Sequence, residues 1–182
     1  MAGPGFLKRL VQAALAVAVT GVAACDDLPQ TVVTFMRPGG TWAFFDYASS
    51  RGPVLVQVLT APSGFTPATV SAQAGAAVSR AIQRKVITTT ADPAQAAAPE
   101  YRLVFAFDLP TSTAPERLCD GTRLEPQGDP ATIRLIGAFC HKTEVHASAT
   151  GTLPRRGGDD GAALGEILAQ MTRGLIVEDN SR

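Results

Sequence analysis

Residues 132–151, with the sequence TIRLIGAFCHKTEVHASATG, decide the fold. Apolar and polar side chains alternate on both sides of His141-Lys142, and a period of two residues is typical of strands with one buried face. Because His141-Lys142 favours a tight turn, the stretch predicts an antiparallel hairpin of Thr132–Cys140 and Thr143–Gly151. In the second strand, the pattern places Val145, Ala147 and Ala149 inward and Glu144, His146, Ser148 and Thr150 outward.

Further short apolar runs extend the predicted sheet. One of them carries four of the eleven aromatic residues, at Trp42, Phe44, Phe45 and Tyr47. That run has two interpretations, a strand packed on the core or an exposed docking patch. The runs predicted as strands are Val32–Met36, Thr41–Tyr47, Val54–Thr60, Val86–Thr90 and Tyr101–Asp108.

Two stretches have helical periodicity. Thr66-Pro67 supplies an N-cap and a first-turn proline for the first helix. Asp159 and Asp160 can cap the start of the second helix, and Gly174 can end it. Residues 110–130 contain four prolines and are predicted to form a long loop. The two apolar stripes are Val70, Ala74, Ala77, Val78, Ala81 and Ile82, and then Leu164, Ile167, Leu168, Met171 and Leu175.

These elements predict an α+β fold, a mainly antiparallel sheet with two helices packed on one face. A single domain is expected over residues 32–178, followed by a polar tail at 179–182. The chain has 182 residues, and its 16 basic residues balance its 16 acidic ones. With no excess of positive charge to neutralise phosphates, a nucleic-acid partner is not expected.

The N-terminus has the layout of an export signal. Lys8 and Arg9 precede an uncharged, Ala- and Val-rich stretch that ends in Val22-Ala23-Ala24-Cys25. This ending resembles the lipobox of bacterial lipoproteins. The resemblance implies that residues 1–24 are a signal peptide, that the Cys25 thiol carries a diacylglyceryl group, and that the new N-terminus is acylated, for example with palmitate.

Membrane anchoring follows from the same resemblance. Residues 25–31 are then a short tether that holds the domain at the periplasmic face of the cell membrane, because several acyl chains anchor stably. Asp26 resembles the signal that retains enteric lipoproteins in the inner membrane, which favours that membrane over the outer one.

Lipidation of Cys25 leaves Cys119 and Cys140. In an oxidising compartment the two are expected to form a disulfide that closes a loop of about 20 residues, worth about 3 kcal/mol. A reactive thiol or a metal site are the alternatives. The sequence has no Cys-x-x-Cys motif for redox chemistry, and Cys119, Cys140 and His141 have no recognised ligand spacing.

No catalytic motif is present in the sequence. His141 and His146 would face opposite sides of one strand, which disfavours a shared metal ion. His146 and Ser148 would share a face, but no acid is placed to orient the histidine. We therefore expect no catalytic residue, no cofactor and no metal.

The order of elements after the cysteine resembles small periplasmic lipoproteins, such as the lipopolysaccharide-assembly lipoprotein and auxiliary lipoproteins of ABC-type lipid transporters. Arg51–Val56, Pro99–Phe105 and Gly137–Cys140 resemble proteobacterial lipoproteins of uncharacterised activity. The resemblance implies a non-enzymatic accessory or assembly factor of an envelope complex that binds a protein partner. A small-ligand-binding module is the alternative.

Overall fold

The structure is a computed structural model that describes residues 29–157 and 160–177. The predicted signal peptide, the lipidation site Cys25, most of the tether, the capping residue Asp159 and the tail at 179–182 lie outside the described residues. No helix in the described ranges has the length and apolar character needed to span a membrane.

The described residues form one six-stranded sheet and four helices, which confirms the α+β class. The sheet order is β1-β6-β5-β4-β2-β3. Along the chain the elements are β1 Gln30–Met36, α1 Trp42–Arg51, β2 Val54–Val58, α2 Pro67–Ala81, β3 Thr89–Thr90, β4 Tyr101–Phe107, α3 Glu116–Cys119, β5 Thr132–His141, β6 Glu144–Pro154 and α4 Asp160–Leu175.

The sheet is mixed, which corrects the prediction of a mainly antiparallel sheet. The predicted hairpin is confirmed, since β5 and β6 pair antiparallel, as do β4 with β5 and β1 with β6. Strand β2, however, runs parallel to both of its neighbours, β3 and β4. Helix α2 is the crossover that a parallel pair of strands requires. An apolar run such as β2 shows burial on both faces but not the direction in which its neighbours run.

The aromatic run at 41–47 was wrongly predicted as a strand, because it opens helix α1. Phe45 and Ala48 are buried three positions apart, and that spacing puts both on the inner side of a helix. The prediction for residues 86–90 was too long, because only Thr89–Thr90 pairs with β2.

One face of the sheet is covered by helices, and we call it the helix face. The predicted stripes of α2 and α4 are buried there, and the Thr66 hydroxyl accepts a hydrogen bond from the Thr69 backbone N–H, 3.2 Å away, as an N-cap should. Helix α1 packs on the same face through Phe45, so this face carries one long helix more than predicted. The resulting main core joins all three helices to β2, β4, β5 and β6.

The opposite face is covered by residues 109–124, which include the short helix α3, and we call it the loop face. The predicted disulfide is confirmed, since it joins Cys119 in this cover to Cys140 in β5. The Arg102 guanidinium also donates to the Cys119 carbonyl oxygen, 2.6 Å away. Both contacts hold an irregular segment against a small second core.

Candidate functional site

A surface cavity of about 500 Å³ opens where the ends of three helices meet, and we call it the Trp42 cleft. Its volume lies within the range typical of small-molecule sites. Helix α1 contributes its first residue, α2 its C-terminal end and the turn after it, and α4 its last turn and the residues beyond. The lining residues are Trp42, Ala81, Ile82, Gln83, Arg84, Arg173, Ile176 and Val177.

Thr41 fixes the start of α1 against the end of α4. Its buried hydroxyl donates to the Leu175 carbonyl oxygen, 2.6 Å away, and accepts from the Val177 N–H, 3.0 Å away. The N–H groups of Thr41 and Trp42 both donate to the Val177 carbonyl oxygen at 3.1 Å. Four hydrogen bonds therefore set the position of Trp42 before any ligand arrives.

Lys85 ties the turn after α2, which lines the cleft, to α1. Its ammonium group lies 2.8 Å from an Asp46 carboxylate oxygen and 2.8 Å from the Ser50 hydroxyl. This anchor fixes the turn that carries Arg84, whose guanidinium carbon lies 5.4 Å from the centre of the Trp42 ring. A cation held over an indole in this way is stabilised by the charge distribution of the ring.

The described lining of the cleft includes two arginines, Arg84 and Arg173, and no carboxylate. Arg173 forms an ion pair with Glu166 at 3.2 Å, but both side chains are at least half exposed. Exposed ion pairs of this kind contribute little free energy. Ala81, Ile82 and Ile176 are nearly fully buried and form an apolar floor. The cleft thus combines cationic groups at its mouth with an apolar base.

A second feature lies on the other side of α1, where Phe44 and Tyr47 pack around Tyr101 of β4. Their ring centres lie 6.0 and 5.8 Å from that of Tyr101, and the His141 ring stacks on Tyr101 at 4.4 Å. The Arg51 guanidinium lies 5.2 Å from the centre of the Tyr47 ring. Phe44 and Tyr47 remain exposed. We call these five residues the aromatic surface.

The two histidines lie together, which corrects the prediction that they face opposite sides. Phe139 pairs with Ala147 and Cys140 pairs with Val145, so His146 is the extra residue of a β-bulge. The bulge shifts the alternation of β6 by one residue and turns His146 towards the helix face. Its ring centre lies 5.6 Å from that of His141. His146 is buried, not outward-facing as the alternation predicted.

The surroundings of His146 favour its neutral form. The Arg37 guanidinium lies 3.0 Å from its Nε2, and a guanidinium can only donate, so Nε2 accepts and the proton resides on Nδ1. Burial is the main cause that lowers the pKa of His146, and the charges of Arg37 and His141 lower it further against an opposing effect of Glu144. Nδ1 is buried and has no hydrogen-bond partner.

Ser148 does not approach His146, because the bulge separates the two residues onto opposite faces. Its pairing with Ala138 places it on the loop face, where its hydroxyl lies 2.8 Å from the Thr34 hydroxyl. The predicted common face of His146 and Ser148 is therefore wrong. Within residues 29–157 and 160–177, no three His, Cys, Asp or Glu side chains are grouped to hold a metal ion.

Comparisons with known proteins found matches among solved structures alone. No family model and no curated protein sequence matches it. Among solved structures, the PelC dodecamer from Paraburkholderia phytofirmans is 18% identical, with a TM-score of 0.47, covering 84% of this chain and all of PelC. A point variant of the same dodecamer is 17% identical with a TM-score of 0.46 and equal coverage. At a TM-score below 0.5, these matches assign neither fold nor function here.

Proposed function

We propose that this protein is a lipoprotein, anchored through Cys25 to the periplasmic face of the cell membrane, and that it serves as a non-enzymatic accessory or assembly factor of an envelope complex. The lipobox-like Val22–Cys25 supports the anchor. The Cys119–Cys140 disulfide is consistent with an oxidising compartment. Asp26 favours the inner membrane over the outer one.

The aromatic surface is the observation that carries the accessory role. Phenylalanine, tyrosine and arginine are enriched in protein interfaces, and exposed clusters of such residues mark interaction sites. Tyr47 packs edge-on against Tyr101, and the His141 ring stacks on Tyr101. Arg51 lies against Tyr47, so these side chains have little rotamer freedom left to lose on binding. A rigid aromatic surface on an anchored domain suits a protein partner in the same envelope.

Site-specific photo-crosslinking in cells tests this role. A benzophenone amino acid at Tyr47 should give a crosslink to a specific envelope protein, while the same group at Arg123, an exposed residue near the loop face, should give none. The Tyr47 crosslink should weaken when Cys25→Ala removes the lipid. Equal crosslinking from both positions, or none from Tyr47, would contradict the proposed docking surface.

Binding of a small ligand is the second candidate function, and the Trp42 cleft favours it. The cleft is concave, is assembled by fixed hydrogen bonds, and has polar groups above an apolar floor, as ligand sites commonly do. The cleft and the aromatic surface flank the same helix, so one protein can carry out both functions.

A further inference from the structure

Strand β1 forms an uncharged outer edge of the sheet. Among the described residues it pairs only with β6, so its other side has no strand partner there. Neither β1 nor the β6 residues that pair with it include a charged side chain. Three apolar side chains of β1 are exposed, with 62% of Val32, 45% of Val33 and 46% of Phe35 accessible to solvent. We call these three residues the β1 patch.

The β1 patch lies on both sides of the edge. Phe35 pairs with Ser148, and Val32 pairs with the next residue but one of β6, so both side chains lie on the loop face. Val33 pairs with Ala149, whose side chain belongs to the main core, and therefore lies on the helix face. A surface that meets the sheet edge-on thus contacts all three side chains.

An edge of this kind favours a cover. Free edges of soluble proteins are commonly protected by charged side chains, prolines or bulges. Strand β1 has neither a charge nor a proline, and its bulge, between Val33 and Phe35, leaves the apolar side chains exposed. Exposed apolar side chains that are grouped together mark interaction sites.

The length of chain between the predicted lipidation site and the patch identifies the cover. Val32 follows Cys25 by seven residues, which span at most about 25 Å even when they are fully extended. We propose that the β1 patch docks on the surface of the lipid bilayer, at the depth of the head groups. This inference rests on the lipid anchor of the proposed function, and it adds the orientation of the anchored domain.

The anchor makes a weak contact sufficient. Because the acyl chains already hold the domain at the bilayer, contact with the β1 patch is an intramolecular step at high effective concentration. Apolar side chains gain free energy in proportion to the area that leaves water. The uncharged strand also avoids the cost of taking a charge out of water.

The docking is shallow, because the free edge is polar along its backbone. Unpaired N–H and C=O groups find no hydrogen-bond partner in the hydrocarbon interior, where open sheet edges do not occur. Head groups and their water supply such partners. Apolar side chains of segments that lie in this region reach about 5 to 10 Å into the boundary with the acyl chains.

This orientation leaves the aromatic surface accessible to a protein partner. Tyr101 belongs to β4, the fourth strand from the β1 edge. At the usual spacing between strands, β4 lies about 14 Å from β1. Bilayer docking and partner docking therefore use different parts of the domain.

Depth-dependent quenching of a fluorophore tests the docking. Full-length acylated protein is reconstituted into vesicles of phosphatidylethanolamine and phosphatidylglycerol. An environment-sensitive NBD group is attached to a cysteine introduced by Val32→Cys or, as the control, by Val86→Cys. Val86 lies in the turn after α2 and is 92% exposed. Nitroxide lipids labelled at the head group or near the acyl-chain ends then quench any fluorophore that they contact.

The two labels should differ. The head-group nitroxide should quench the label at Val32 about threefold more than the label at Val86, because only the former lies in the interface. At Val32, the head-group nitroxide should also quench more than the nitroxide near the acyl-chain ends.

Matched variants locate the contact. With the label at Val32, Phe35→Ser should reduce the head-group quenching by about half, because it removes the largest apolar side chain of the patch. Leu59→Ser removes another partly exposed apolar side chain, beyond the end of β2, and should leave the quenching unchanged.

Two results would overturn the docking: equal quenching of the labels at Val32 and Val86, or a Phe35→Ser variant that is quenched like the parent. A third result, blue-shifted emission at Val32 that no nitroxide lipid quenches, would show that a protein strand or a second copy of this chain covers β1 instead.

Vesicle flotation separates this proposal from the anchor on which it rests. The parent protein should float with the vesicles, and Cys25→Ala should not. Protein that fails to float would overturn the anchor and the docking together. Protein that floats without quenching at Val32 would overturn the docking alone. Crosslinking at Tyr47 reports separately on the accessory role.

Discussion

The two faces of the sheet achieve burial by different means. On the helix face, three long helices cover the strands, two of them with continuous apolar stripes, and the contacts are those of an extensive hydrophobic core. On the loop face, residues 109–124 cover a small cluster and are held by a disulfide and by the hydrogen bond from Arg102. This cover buries a smaller apolar cluster than the three long helices do, so the two tethers help to hold it in place.

The largest expected effect is on the helix face. Phe139 is fully buried, and its ring centre lies 6.3 Å from that of Phe45. Phe139→Ala should lower the free energy of unfolding by about 4 kcal/mol, because it removes an aromatic ring and leaves a cavity. Urea denaturation measures the loss. Phe44→Ala, at a partly exposed ring, is the control and should cost much less.

The loop face should depend on its disulfide. Replacing Cys119 and Cys140 together by alanine should lower the free energy of unfolding by about 3 kcal/mol, because the unfolded chain is no longer constrained. Hydrogen exchange should accelerate most in residues 109–124 and change little in α2 and α4. Uniform acceleration across both faces would contradict the division drawn between them.

The close approach of α4 to the sheet can be tested at Gly137. A Cβ at this position would lie 3.2 Å from Leu175 Cδ1 and would overlap the Met171 sulfur. Gly137→Ala should therefore lower the free energy of unfolding by about 2 kcal/mol, by overpacking. Gly165→Ala is the matched control, since its Cβ would meet only Arg80 Nη2 at 3.5 Å. Alanine should stabilise that helical position by about 0.5 to 1 kcal/mol.

The smallest expected effect lies at the rim of the helix face and depends on pH. The pKa of His146 is lowered in the folded protein, so the unfolded chain binds a proton first, near its ordinary pKa of about 6.5. The contribution of neutral His146 to the free energy of unfolding is thus complete above that pH and is lost as the pH falls below it. Urea unfolding at several pH values should show less pH dependence below 6.5 for His146→Phe than for the wild type. Parallel curves would contradict this assignment.

Features set by local pattern were predicted well. The β5–β6 hairpin, β4, and the buried stripes of α2 and α4 follow from periodicity and end signals within short segments. The disulfide followed from the compartment that the N-terminus implies. Among the cleft residues, Trp42 was a candidate because it lies in a run of aromatic residues. Nothing in the sequence around Arg84 or Arg173 indicates that the two line one cavity.

Two of the failures share one cause, which is that they depend on distant partners. Helix α1 is fixed by two hydrogen bonds of the Thr41 hydroxyl, which donates to the Leu175 carbonyl oxygen and accepts from the Val177 N–H, both more than 130 positions away. The parallel pairing of β2 depends on where α2 returns the chain. The bulge at His146 is invisible in a two-residue alternation that is otherwise regular.

Sequence alone determined the α+β class, the two amphipathic helices and the hairpin, because periodicity, caps and composition act over a few residues. Tertiary structure alone decided the mixed sheet, the helical state of residues 42–51, the common face of the two histidines and the Trp42 cleft. Apart from the histidine pair, which a bulge within the hairpin brings together, each of these depends on groups far apart in the chain, and only the packed core brings such groups within contact distance.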